Sequence, residues 1–152
     1  MPEIGDPAPP FDGMTHEGDR VSLGHYKGKR LALYFYPRDN TPGCTKQACN
    51  LRDNYTLLQK HNIEILGVSD DGVESHKKFV GKFDLPFPLL ADTEKTTLTA
   101  YGTYGEKKMY GRTYMGTIRK TFLIDEEGVI VDIITKPKVG AHTEEILSRF
   151  GI

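Results

Sequence analysis

Cys44 and Cys49, five residues apart, are the residues of this 152-residue sequence best suited to chemistry, and they are its only cysteines. They lie in Tyr34 to Tyr55 (YFYPRDNTPGCTKQACNLRDNY), where an apolar strand pattern runs into Pro37, a short polar turn, and a helix opening near Thr41 to Cys44. This places Cys44 in a helical first turn. There, backbone N–H groups without partners and the positive end of the helix dipole favour an anion, and cysteines at such positions ionise more readily than free thiols. Thr41 is placed to cap the helix, with its hydroxyl three residues before Cys44 and able to face the same pocket. Pro37 reads first as a turn former that closes the strand and fixes the pocket shape.

Helical phase separates the two sulfurs. Cys44 recurs with Ala48, Leu51, Tyr55 and Leu58 on an apolar stripe, whereas Cys49 shares its side with Thr45, Arg52 and Thr56. Five residues of ideal helix give a rise of about 7.5 Å and a turn of about 140°, so the Cα atoms stand roughly 9 Å apart. A disulfide needs them within roughly 7 Å. Bridging therefore requires the first helical turns to unwind, which would make the pair a two-state redox switch.

The rest of the chain narrows the chemistry. Two cysteines are too few for a secreted disulfide framework or a four-ligand structural zinc site. The five histidines (His16, His25, His61, His76, His142) are scattered and read as solvated or capping groups. Asp70, Asp71 and Gly72 read as a turn before a helix rather than a calcium loop. There is no phosphate-binding loop, dinucleotide fingerprint or zinc-protease spacing, so no metal or other cofactor is expected. Twenty basic against 21 acidic residues give a net charge of −1, which speaks against nucleic acid even though Tyr104, Tyr110 and Tyr114 interleave with Lys107, Lys108 and Arg112. With 38% hydrophobic and 27% charged residues, no leader pattern at Met1 to Phe11 and no apolar run of membrane length, a cytoplasmic globular protein is expected, with residues 1–152 forming one domain.

Apolar runs bounded by turn residues predict strands at Leu31–Tyr36, Ile63–Val68, Pro88–Leu90, Thr121–Ile124 and Val129–Ile134. Helical spacing fits Pro42–Lys60, Val73–Phe83, Thr93–Tyr101 and Thr143–Phe150, with Gly102 and Gly151 as stops. The early strand and helix alternation implies parallel pairing, and the four-residue gap Asp125–Gly128 implies a final antiparallel hairpin. The expected fold is α/β, a mixed central sheet flanked by helices. Tyr101–Arg119, rich in glycine and without a period, reads as a loop.

Pro37 to Cys44 (PRDNTPGC) matches the PxxxTxxC pattern of peroxiredoxins, and Thr41 to Asp53 (TPGCTKQACNLRD) resembles the bacterioferritin comigratory protein branch, also called peroxiredoxin Q. Gly67–Phe79 and Tyr104–Asp125 extend the resemblance over nearly the whole chain. It implies a thioredoxin-like fold with an N-terminal extension, usually a monomer. The implied activity is reduction of hydroperoxides and the implied reductant is thioredoxin or a related dithiol protein. By the same resemblance Cys44 is peroxidatic, Cys49 resolving, and Thr41 and Arg119 are their partners; residues alone would make Arg119 an arginine on an exposed strand face. Two other readings use the same cysteines. A thiol-disulfide shuttle would favour Cys-x-x-Cys spacing, which is absent, and a redox sensor or chaperone would bind partners only when oxidised.

Overall fold

The computed structural model describes residues 2–152. Its centre is a strand whose residues are apolar on both faces, β3 (Arg30–Phe35), with Leu31 to Phe35 almost wholly buried. Such a run suits an inner strand covered on both sides. It pairs in parallel with β4 (Ile63–Ser69) and antiparallel with β8 (Lys120–Ile124). β4 continues in parallel to β5 (Leu89–Ala91), and β8 turns back on β9 (Ile130–Ile134), the antiparallel hairpin expected from the four-residue gap.

Two strands absent from the sequence reading complete the sheet. β1 (Asp12–Thr15) pairs antiparallel with both β5 and β2 (Arg20–Ser22), giving the order β2-β1-β5-β4-β3-β8-β9. They are four and three residues long, too short to display alternation. They supply the N-terminal extension that the resemblance implies.

Pleating of β3 divides the core. Ala32 and Tyr34, with Tyr36 just beyond the strand, face a layer built from α1 (Pro42–Asp53), α2 (Tyr55–Lys60), α3 (Val73–Phe83) and α5 (His142–Arg149), through Leu51, Leu58, Phe79 and Ile146. Leu31, Leu33 and Phe35 face the other side, against Phe11, Tyr26 and the short α4 (Thr96–Ala100) with Leu98 and Tyr101. Each such fully buried side chain contributes about 1.5–3 kcal/mol relative to exposure. Cys44 belongs to the first cluster, with Tyr34 and Tyr36.

Three sequence expectations are corrected. The single helix expected over Pro42–Lys60 breaks at Asn54, whose side chain donates to the Asn50 carbonyl four residues back (2.8 Å) and so competes with the helical ladder. Tyr101–Arg119 is largely a hairpin, β6 (Tyr104–Met109) with β7 (Arg112–Thr117), forming a second, two-stranded sheet. Its turn places both Tyr110 and Gly111 at positive φ (52° and 76°), the backbone of a tight hairpin that Asn-Gly usually signals. α4 starts at Thr96 rather than Thr93, because Lys95 sits in the left-handed region (φ 61°). Among the described residues no helix is long and apolar enough to cross a membrane.

Candidate active site

The turn Pro37–Asn40 carries the chain from β3 into α1, with Asn40 at φ 58°, a conformation asparagine tolerates better than most residues. Pro42 occupies the first helical position, where its missing N–H costs nothing. Cys44 therefore stands third in the helix, 2% exposed, its sulfur inside the face that α1 presents to the sheet.

Arg119 meets it there. One guanidinium nitrogen donates to Cys44 Sγ at 3.3 Å, and the other terminal nitrogen donates to Gln47 Oε1 at 2.6 Å. Gly43 permits this approach, since a Cβ at that position would lie 3.3 Å from the Arg119 nitrogen. Arg119 is not on a strand face, as its sequence neighbourhood suggested. It lies in the two-residue connection between β7 and β8, where leaving one sheet for another turns its side chain onto the helix start. The arrangement places a fixed cation and a helix N-terminus against one sulfur, which stabilises a thiolate and any negative charge developing on an atom it attacks.

The other expected residues fall nearby in different ways. Thr41 holds the N-cap position with extended backbone, and its carbonyl accepts the Thr45 N–H (2.8 Å). Its hydroxyl makes no cap, however, donating instead to the Arg38 carbonyl at 2.8 Å. Pro37 lies half-buried directly after Tyr36. Cys49 is on the same continuous helix as Cys44 but partly exposed, and both thiols are free.

Sequence reasoning missed Gln47, which is fully buried, three residues after Cys44 and bound to Arg119, with its Nε2 lacking a partner among the described residues. The i, i+3 spacing could have found it. It also missed Lys107 of β6, whose ammonium donates to the Thr117 carbonyl (2.8 Å). Burial and the charge of Arg119 pull Lys107 below the usual lysine range, while the charge of Cys44 acts the other way. Tyr34, whose buried hydroxyl has no partner among the described residues, is pushed far up by burial, with the Cys44 charge adding to it.

Two histidines expected at the surface are fully buried. His142 bridges Thr121 Oγ1 (2.8 Å) and Glu145 Oε1 (3.0 Å). His76 lies between Asp39 Oδ2 (2.6 Å) and the Leu90 carbonyl (3.0 Å). Asp39, Asp71 and His76 bring possible metal-ligating atoms within 4.8 Å of one another. Those atoms are already engaged: Asp71 Oδ2 accepts from the Asp39 N–H and Ser69 hydroxyl, and Asp39 accepts from Tyr36, Ser75 and His76.

Comparison with known proteins shows the family. The profile described as the AhpC/TSA family matches residues 4–133. The peroxiredoxin Bcp of Bacillus subtilis is 45% identical over 145 residues, which cover 95% of this chain and 92% of that one. The chain belongs to the AhpC/TSA family, as a peroxiredoxin. Among solved structures, the Xylella fastidiosa peroxiredoxin Q variant superimposes on this peroxiredoxin with a TM-score of 0.90 at 33% identity, covering 98% of this chain and 95% of that one. The Xanthomonas campestris bacterioferritin comigratory protein, studied for alkyl peroxide reduction, gives 0.86 at 34% identity over 93% and 90% of the two chains. The thioredoxin-like fold expected from the cysteine block is therefore the observed one, and a peroxiredoxin is a thiol-dependent peroxidase.

Proposed function

We propose that this peroxiredoxin reduces hydrogen peroxide and organic hydroperoxides with Cys44 as the attacking thiolate and Cys49 as the resolving thiol. The observation that carries the reading is the Arg119 contact to a buried sulfur in the first turn of α1. The Cys44 thiolate attacks the terminal oxygen of R–O–O–H, the O–O bond breaks, and Cys44 becomes S–OH while the leaving alkoxide takes a proton to become R–OH. Arg119 and the Cys44 backbone N–H face the charge as it shifts from sulfur to oxygen. Thr41 spends its hydroxyl hydrogen on the Arg38 carbonyl, so toward substrate it acts as an acceptor, suited to the hydroperoxide's own O–H. Pro37 fixes the turn that delivers Thr41.

The sulfenic acid then condenses with the Cys49 thiol, forming the disulfide and releasing water before further oxidation destroys the site. A dithiol protein such as thioredoxin returns the pair to thiols by exchange. The reading includes a monomer of one domain over residues 1–152, working in the cytoplasm, where a reducing thiol pool keeps the resting pair reduced.

Intact mass spectrometry after one equivalent of hydrogen peroxide tests it, followed by alkylation of free thiols. Loss of about two mass units with both cysteines protected is the expected result. An unchanged mass with two alkylated thiols would overturn the reading.

A further inference from the structure

Two side-chain networks outside the reacting atoms fasten the chain on either side of the cysteine segment. At one end Asp39, almost fully buried, accepts hydrogen bonds from Tyr36 (2.5 Å), Ser75 (2.8 Å) and His76 (2.6 Å), and its own N–H donates to Asp71 Oδ2 at 2.8 Å. These partners come from the end of β3, from α3 and from the turn between β4 and α3.

At the other end is Asn50, directly after Cys49. Ala141 at the N-cap position of α5 has no side chain able to cap, and Asn50 takes over that work from across the interface. Its Oδ1 accepts both the Thr143 N–H and the Thr143 hydroxyl at 2.8 Å, and its Nδ2 donates to the Gly140 carbonyl at 3.1 Å. Between the anchors, Asn40 accepts from Lys82 of α3 (3.3 Å) and Thr41 bonds to the Arg38 carbonyl, both next to the first anchor, and residues 42–49 are held by the helical ladder of α1 and by the Arg119 contacts to Cys44 and Gln47.

We propose that Asp39 and Asn50 are the fixed ends of the segment that rearranges when Cys44 and Cys49 join, and that Asn50 is a positioning residue for that joining. The inference rests on the reading of the two cysteines as a reacting pair. Oxidation converts the anionic sulfur beside Arg119 into a neutral S–OH and weakens the charge-assisted hold on the helix start. The helix then opens from its N-terminus, because the Cα atoms must approach from roughly 9 Å to within roughly 7 Å. Opening stops where something other than the ladder holds the chain. Asn50 meets that condition, since its side-chain bonds run to α5 and need no intact turn before it. With both ends fixed, Cys44 searches a short closed segment for a partner at its anchored end, which keeps the entropy of closure small.

Each anchor carries its own reporter amide, Asp39 bound to Asp71 and Thr143 bound to Asn50. Amide hydrogen exchange followed by NMR on the whole chain, reduced and peroxide-oxidised, reads them separately. In the disulfide form the Thr45–Cys49 amides should exchange at least about a hundredfold faster, while Asp39 and Thr143 stay within about threefold of their reduced rates. Asn50→Ala should release the Thr143 amide and slow disulfide formation severalfold without changing the rate of the first peroxide reaction by more than about twofold; Asn50→Asp, which keeps the oxygen acceptor, should restore both. If the mass shows the disulfide yet Asp39 or Thr143 accelerates together with the segment in the wild-type protein, the anchors are not fixed ends and the inference fails, whether or not the variants fold. Disulfide formation at an unchanged rate in Asn50→Ala overturns the positioning role. If the two mass units are never lost, the pairing of the cysteines fails first, and this inference with it.

Discussion

Arg119 joins Gln47 and Cys44 through one guanidinium, 2.6 Å to the amide oxygen and 3.3 Å to the sulfur, although the two contacts reach back 72 and 75 residues in sequence. The amide oxygen is the shorter contact, so Gln47 sets the angle at which Arg119 presents its second nitrogen to the sulfur. Gln47→Ala should therefore slow peroxide reduction by about 10- to 100-fold through misplacement of Arg119 alone. Arg119→Ala should cost more, about 100- to 1,000-fold, by removing a donor to the developing charge. Stopped-flow consumption of hydrogen peroxide under single-turnover conditions measures both, and an unchanged rate in either variant removes that residue from the site.

Cys44→Ser should abolish peroxide consumption. Cys49→Ser should instead allow one turnover and then stall, since the sulfenic acid has no partner until a small thiol is supplied. Mass spectra of the stalled protein should show one added oxygen and, with excess peroxide, further oxidation; continued multiple turnover without added thiol would assign resolution elsewhere.

His76 is one of the hydrogen-bond donors that compensate the buried Asp39 carboxylate. Replacing it by Leu leaves that charge facing an apolar side chain and should lower stability by about 3–5 kcal/mol. Urea denaturation of the reduced protein measures this. A loss below about 1 kcal/mol would mean that Tyr36 and Ser75 suffice for the carboxylate.

Burial holds the His142 imidazole below its ordinary 6.5, with the hydrogen bond and charge of Glu145 opposing less strongly. As pH falls through about 6.5 the unfolded chain takes up a proton that the folded chain refuses, so stability falls until the lower folded value is reached. His16, also held down by burial, acts in the same direction. Urea midpoints between about pH 7.5 and about pH 5 should decline, and the decline should be shallower in His142→Gln. Equal slopes would place the sensitivity in other groups.

What the sequence disclosed follows from how local each feature is. The place of Cys44 in a first turn depends on Pro42, Thr41 and helical phase, all within a few residues, and it was legible. The inner strands were legible because burial on both faces makes them continuous apolar runs. The β6–β7 ribbon has largely exposed residues on both faces, including Tyr110 and Met115, so no alternation between buried and exposed positions was imposed on it. Arg119, His76 and Asn50 owe their roles to partners brought in by tertiary folding, 93 residues away in the case of Asn50 and Thr143. Nothing adjacent to them records those partners. Gln47 was readable in principle by its spacing from Cys44, but a lone glutamine beside an apolar stripe looks like the solvent face of a helix.

The break at Asn54 acts as mechanical insulation. Beyond it, α2 is tied to the sheet by Leu58, fully buried, and by the Tyr55 hydroxyl on Glu64 at 2.8 Å. A helix running unbroken from Pro42 to Lys60 would transmit each twist at its first turn, like a torsion bar, into the packing over β4. Cut at residue 54, the two helices share no continuous ladder, and α2 keeps ties to the sheet that do not run through α1.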